Sequence, residues 1–199
     1  QRQMCIRDSF TYISFGGVKM TTRCGWATKS PELMTYHDTR WGKPTREVQE
    51  LFTAMCLEIM QAGLTFQTVL KFEDGMNQVF HHFSIKYLAE LDDQSLDKFC
   101  QDKRVIRNRA KIAAIIANAK VVANQPARFV DQTWAPVHYV TLDHMLTQPA
   151  QPENYQTFIS PFVKSFKSMG LKRMGPITTY SYLQAVGVIN DHLLDCEFR

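Results

Sequence analysis

Two cysteines and two histidines lie at opposite ends of the 199-residue chain: Cys24 and His37 near its start, His192 and Cys196 near its end. His192 and Cys196 are four residues apart, so on a turn of helix both would face one point. Two thiolates and two imidazoles make a closed tetrahedral set for zinc, which leaves no coordination position for water and so suits a structural site rather than a catalytic one. Such a site would tie the two terminal segments together. The step of 13 positions from Cys24 to His37 matches no local finger motif. Four unrelated side chains is the reading that spacing alone leaves standing beside it.

A second chemical signal is Glu58. The residues Val48, Leu51, Phe52, Met55 and Ile59 recur at three- and four-residue spacing after Pro44, the pattern of one apolar helix face. Glu58 falls on or beside that face, where loss of water disfavours its charge. It needs a buried base, a cationic ligand or a proton of its own; the alternative is a boundary glutamate that curls out to solvent. Trp26, Tyr36, Trp41 and Phe66 crowd the sequence on either side. Flat π-faces near an acid suit a flat, positively charged heterocycle through stacking and cation–π attraction, although ordinary core packing uses the same residues.

Two further stretches carry cations. Lys103, Arg104, Arg107, Arg109 and Lys111 fall within nine residues; they suit phosphate contacts or a solvated basic face. Gly170-Leu171-Lys172-Arg173-Met174-Gly175-Pro176 is a glycine-bounded turn between two helical stretches. A hairpin of this kind points backbone N–H groups at a DNA phosphate and reads no base.

The elements that must position these residues are helices. Ser84 can cap a short helix carrying Leu88 and Leu91, and another follows Asp93 with Leu96 and Phe99. Ile112, Ile115, Ile116, Ala119 and Val122 form a further stripe. The stretch 129–154 holds three prolines and no clear period, and reads as connecting loops with a short helix near Leu142. Phe158, Phe162 and Phe166 mark a helix that ends near Gly170; Pro176 and Gly187 bracket the last one. The expectation is an all-α fold in one domain over residues 20–199. Residues 1–19 read as a non-native or disordered leader, with Met20 as the natural start.

Composition bounds the function classes. A formal charge of +4 leans basic without naming a partner. No apolar run approaches the roughly 20 residues that span a bilayer, so a membrane partner is not expected. Five scattered cysteines suit a reducing cytoplasm better than a disulfide framework.

Taken together and in this order, the segments RCGW (23–26), YHDTRWG (36–42), CLEIMQAGLTF (56–66) and NDHLLDC (190–196) resemble the bacterial 3-methyladenine DNA glycosylase I family. IRNRAKIAAIIANA (106–119) and GLKRMGPITTYSYLQAVG (170–187) resemble it too. The resemblance runs from about Met20 to Cys196. It implies a helix–hairpin–helix glycosylase fold with structural zinc on Cys24, His37, His192 and Cys196. It also implies Glu58 as the catalytic acid of the pocket, Tyr36 as a base contact and Phe66 as the stacking platform, with Trp26 and Trp41 beside the base. Gly63 and Leu64 become the wedge that fills the gap left by a flipped nucleotide. Lys172, Arg173, Gly175, Arg107 and Arg109 become DNA contacts.

The implied substrate is 3-methyladenine, with 3-methylguanine as a weaker candidate, in double-stranded alkylated DNA, acted on by a cytoplasmic monomer that initiates base excision repair. Relatives that cut the strand carry a lysine just after the hairpin. Thr179 stands there here, which implies release of the base alone. The family usually has tryptophan where this chain has Phe66, and small or polar residues where it has Ile59 and Met60. These departures motivate the alternative of a damage-binding homologue with weak or altered catalysis. A zinc-dependent hydrolase is a further rival, and it needs an open coordination position that four protein ligands do not leave.

Overall fold

The computed structural model describes residues 21–199, so the expected leader 1–19 and the expected start at Met20 lie outside the described residues. Nine α-helices follow one another among the described residues: α1 Pro31–Thr39, α2 Val48–Gln61, α3 Phe66–Val79, α4 Ile85–Ala89, α5 Asp93–Gln101, α6 Arg109–Asn124, α7 Pro126–Trp134, α8 Gln156–Met169 and α9 Pro176–Ala185. Five of them start where a short polar side chain accepts a hydrogen bond from the first turn: Ser30 from Leu33, Thr65 from Thr68, Ser84 from Tyr87, Asp92 from Ser95 and Asn108 from Lys111. The expected cap at Ser84 is among them, although α4 stops at Ala89, before Leu91. Gly170, at φ +92°, ends α8, and α9 opens on Pro176, so the expected hairpin joins two real helices.

The expectation for 129–154 needs correction. Residues 126–134 form α7, with Phe129, Thr133 and Trp134 buried on one face among polar neighbours that mask the period. No helix forms at Leu142. Leu142–Asp143 is a short strand, β1, paired in parallel with β2 (Ile189–Asn190) beyond α9, with Leu142 opposite Ile189. Leu142 N–H donates to the Val188 carbonyl at 2.9 Å. That pairing spans nearly 50 residues of sequence, and no local periodicity can announce it. The helical class otherwise stands, and α1 and α3 add two helices that the apolar spacing did not suggest.

The core is built around α2. Leu51, Phe52 and every residue from Met55 to Met60 are buried, so this helix is covered almost all round rather than on one stripe. α3, α6, α7 and α9 pack against it. They bring Val69, Ile112, Ile115, Phe129, Tyr182 and Leu183 into one cluster, to which α8 adds Phe162 and Phe166. Full burial of each such large apolar side chain contributes about 1.5–3 kcal/mol. A titratable residue on a helix held this way cannot swing to water.

One close approach fixes α3 against the loop before α6. A Cβ on Gly75 would stand 2.2 Å from the Arg104 carbonyl oxygen, inside any allowed contact. Alanine in a helix interior is intrinsically better than glycine by about 1 kcal/mol, whereas overpacking against backbone costs about 1–3 kcal/mol or more. The clash wins, and Gly75→Ala is expected to lower the unfolding free energy in urea by about 1–2 kcal/mol. A stabilised variant would mean that α3 and the Arg104 loop are not apposed.

Candidate active site and metal centre

Glu58 is 5% exposed, and its Oε2 is the one buried side-chain polar atom among the described residues without a hydrogen-bond partner. A carboxylate placed there loses its hydration and gains nothing in return. Burial accordingly pushes the Glu58 carboxyl up to about 8. With no cation against it, Glu58 is a neutral acid at pH 7, poised to ionise when positive charge arrives.

That carboxyl faces a cavity of about 240 Å³. The volume lies below the 300–1,000 Å³ of drug-sized sites and suits a single flat heterocycle. The four aromatic residues singled out in the sequence all line it: Trp26, Tyr36, Trp41 and Phe66. Tyr36 comes from α1, and its ring centre is 4.6 Å from that of Phe66, the first residue of α3. Trp26 meets Trp41 edge to face at 5.0 Å. Burial, with Glu58 adding to it, holds the Tyr36 hydroxyl well above the usual phenol range, so it stays a neutral donor.

Ile59 and Met60 depart from the expected arrangement beside the pocket. Both are fully buried in the core and neither lines the cavity. Successive helical residues point about 100° apart, so Gln61, nearly one turn beyond Glu58, shares its face instead. The substitutions at 59 and 60 repack the core and leave the cavity wall to other residues.

The four expected ligands converge. The donor atoms of Cys24, His37, His192 and Cys196 all lie within 4.8 Å of one another, and all four residues are buried. Cys196 Sγ is 3.5 Å from His37 Nε2 and 3.4 Å from His192 Nδ1, and Cys24 Sγ is 3.8 Å from His192 Nδ1. Around a tetrahedral zinc with Zn–S of about 2.3 Å and Zn–N of about 2.05 Å, sulfur and nitrogen should be roughly 3.6 Å apart. The group could hold such an ion with little movement. Contrary to expectation, His192 and Cys196 sit on no helix; they flank a turn after β2, closed by Cys196 N–H donating to the Leu193 carbonyl at 2.9 Å. The turn brings positions four apart together as a helix would.

The surroundings orient both imidazoles. His37 Nδ1 is 2.8 Å from Asp38 Oδ1, and Asp38 is held in turn by Arg23. The His192 ring hydrogen-bonds the backbone at Trp41. Gly42, at φ +74°, lets that backbone pass, since a Cβ would stand 2.9 Å from His192 Nε2. Carboxylate and carbonyl partners of this kind fix ring orientation in metal sites. The cluster also shares Cys24 and Trp41 with the cavity or its wall, so the terminal tie and the pocket are one construction.

Sequence reasoning missed the far wall, formed by Ser181, Gln184, Asp191, Pro149 and Ala150. Asp191 is buried and fully engaged: the Tyr180 hydroxyl donates to it, Gln184 Nε2 lies 2.7 Å from Oδ2, and His144 Nδ1 lies 2.6 Å from Oδ1. Its place beside His192 in the NDH segment was the available signal.

The expected DNA contacts divide by surroundings. Gly63, at φ +77°, and Leu64, 40% exposed, form the loop just after α2. Lys172, Arg173 and Gly175 lie in the hairpin, where Lys172 and Arg173 are exposed. Arg107 is exposed, and Arg109 pairs with exposed Asp97, a contact that solvent screens and a phosphate can replace. Lys111 leaves the basic run altogether and is buried.

The sequence model of the methyladenine glycosylase family matches residues 26–199. The chain is 34% identical to DNA-3-methyladenine glycosylase 1 of Escherichia coli K12 over 177 residues, which cover 87% of this chain and 95% of that protein. It is also 34% identical to DNA-3-methyladenine glycosylase of Haemophilus influenzae, covering 89% and 97% of the two chains. Among solved structures, a crystal structure of 3-methyladenine DNA glycosylase I superposes with a TM-score of 0.79 at 32% identity, over 88% of this chain and 98% of that one. The Staphylococcus aureus enzyme, solved to explain 3-methyladenine recognition, gives 0.77 at 26% identity, over 88% and 95%. Matched over residues 26–199 by the family model and 34% identical to a relative that it covers almost entirely, this chain belongs to the methyladenine glycosylase family.

Proposed function

We propose that the protein hydrolyses the N-glycosidic bond of 3-methyladenine, and more weakly of 3-methylguanine, in double-stranded alkylated DNA, releases the base alone, and so initiates base excision repair. The observation that carries this reading is the partnerless Glu58 carboxyl in an aromatic cavity. A purine methylated at N3 is a cation while attached to deoxyribose. Of the bases in DNA it is the kind that can supply what Glu58 lacks, and normal adenine, being neutral, cannot.

The damaged nucleotide is lifted out of the stack, at a cost of a few kcal/mol that is least for a poorly paired base. Its ring enters between Tyr36, Phe66 and the two tryptophans, and Leu64 fills the gap in the duplex. Lys172, Arg173, Gly175 and Arg107 meet phosphates and carry no sequence preference. Against the cation, Glu58 gives up its proton to water, and the resulting carboxylate faces the base. As the bond from C1′ to the base nitrogen breaks, both electrons go to the base, which leaves neutral. Positive charge then builds on the sugar, within reach of the Glu58 charge in a dry site. Water adds to C1′ and loses a proton, leaving an abasic site.

Two observations support the monofunctional reading. Among the described residues that line the cavity there is no lysine to form a covalent imine. Thr179, after the hairpin, is buried with its hydroxyl donating to the Met174 carbonyl. The turning of Ile59 and Met60 into the core also weakens the damage-binding alternative, which leaned on their nearness to the acid.

Zinc is the proposed occupant of the Cys24, His37, His192 and Cys196 group. It supplies a crosslink between terminal segments and no catalytic chemistry, because the four protein donors complete its coordination. Purified protein is expected to carry one zinc per chain by elemental analysis. Chelation, or Cys196→Ala, should remove it and lower the thermal midpoint, because a metal bound only by the folded chain adds its binding free energy to folding, at about 2–4 °C per kcal/mol for this size. Activity lost on chelation with the midpoint unmoved would instead make zinc the catalyst.

The direct test of the function incubates wild type and Glu58→Gln with methylated duplex DNA and separates the released bases by chromatography. Wild type should release 3-methyladenine, and the variant should be slower by about 100- to 1,000-fold, the usual loss for one preorganised electrostatic group. Equal release would remove Glu58 from the chemistry. Binding of damaged DNA without release would leave a damage-recognition protein.

A further inference from the structure

Lys111 is 4% exposed, and its ammonium is spent on backbone. Its Nζ donates to the Met60 carbonyl at 2.8 Å and to the Ala62 carbonyl at 2.6 Å. Met60 lies in the last turn of α2 and Ala62 caps it, where a helix leaves carbonyls unpaired, and a cation there also meets the negative end of the helix dipole. The next residues are Gly63 and Leu64. Removing a Lys side chain from water is costly, so a surface loop of this sort would not normally be held by a buried ammonium.

The same face of α6 holds a second buried polar side chain, Asn118, seven residues on and roughly 10 Å along the axis. Asn118 grips the hairpin from both sides: Lys172 N–H donates to its Oδ1 at 2.7 Å, and its Nδ2 donates to the Lys172 carbonyl at 3.1 Å. Arg173 Nε adds a bond of 3.2 Å to the Ala110 carbonyl, next to Lys111. α6 therefore touches the loop after α2 through one end and the hairpin through two points. Burial and the nearby Arg173 charge lower the Lys111 amine, which keeps its place by these two carbonyls.

We infer that Lys111 is a positioning residue for the wedge: with Asn118 it makes α6 a strut that sets the offset between Leu64 and the phosphate-gripping hairpin. This rests on the reading of Leu64 as the wedge given above. Lys111 touches neither base nor phosphate, so its loss should be felt where duplex geometry is strained and not where a free base is bound.

The experiment measures three affinities of the zinc-loaded full chain: for a duplex carrying a tetrahydrofuran abasic analogue, for the undamaged duplex, and for free 3-methyladenine. Lys111→Met, which keeps the apolar stem and removes the donors, should weaken abasic-duplex binding by about 10- to 100-fold, as misplacement near 1 Å does. Undamaged duplex and free base should change less than about twofold, within ordinary non-additivity. Leu64→Ala should give the same pattern, and the double variant should be no worse than the poorer single one. Unchanged abasic-duplex binding in Lys111→Met, an equal loss for free base, or additive losses in the double variant would each overturn the inference. An unaffected Leu64→Ala variant would overturn the wedge reading itself, which separates the two failures. Should Lys111→Met not fold, Lys111→Gln on its shorter stem carries the same comparison with the same outcomes.

Discussion

Desolvation of one carboxyl group is the constraint around which the rest is arranged. Glu58 is kept from water because α2 is covered almost all round, and its Oε2 is left without a donor. Every other buried side-chain polar atom among the described residues has a partner. Burying such an acid without a partner costs stability, and proteins concentrate groups of this kind where they bind or react. The cost is offset by a continuous apolar core on α2, α6, α8 and α9, and Trp26, Tyr36, Trp41 and Phe66 line the cavity that the acid faces. A cation placed against it would reverse the balance and make the carboxylate the favoured form.

The cavity wall is assembled from segments far apart in sequence, which explains why the fold ties its ends together. Trp26, Tyr36 and Trp41 come from the first described turns, Glu58 and Phe66 from the central helices, and Asp191 and Leu193 from the last. The Cys24, His37, His192 and Cys196 group joins the first and last of these directly. β1 and β2 add a second tie, carrying His144 to Asp191 and the Pro149–Ala150 wall to the pocket. α6 connects the loop after α2 to the hairpin. Pocket and hairpin are therefore separate constructions linked through α2.

Much of this was legible in the residues, and the limits of legibility have physical causes. Val48 to Ile59 and Ile112 to Val122 announced α2 and α6 because apolar burial imposes a 3.6-residue period. Ser84 announced a cap, and Gly170 and Pro176 the hairpin, because helix ends demand particular side chains and backbone angles. Glu58 was suspect for its place among apolar neighbours, yet only the packing of four other helices decides that it is buried. The strand at Leu142 was missed because a two-residue ladder depends on a distant segment. α7 was missed because Arg128, Asp131 and Gln132 dilute its buried face, and Lys111 because a buried ammonium capping another helix looks in sequence like one more member of a basic run.

The central claim, that Glu58 is a partnerless acid held neutral by burial, is tested most directly by unfolding free energies of wild type and Glu58→Gln across pH 6 to 9. A carboxyl raised to about 8 in the fold and ordinary in the unfolded chain makes the folded state bind more protons between those values. Wild type should then lose stability as pH rises, relative to the variant, by about 1.4 kcal/mol per pH unit up to near pH 8, and level off above it. A difference independent of pH over that range would mean that Glu58 is already ionised against a partner, and would contradict a pocket built to await a cation.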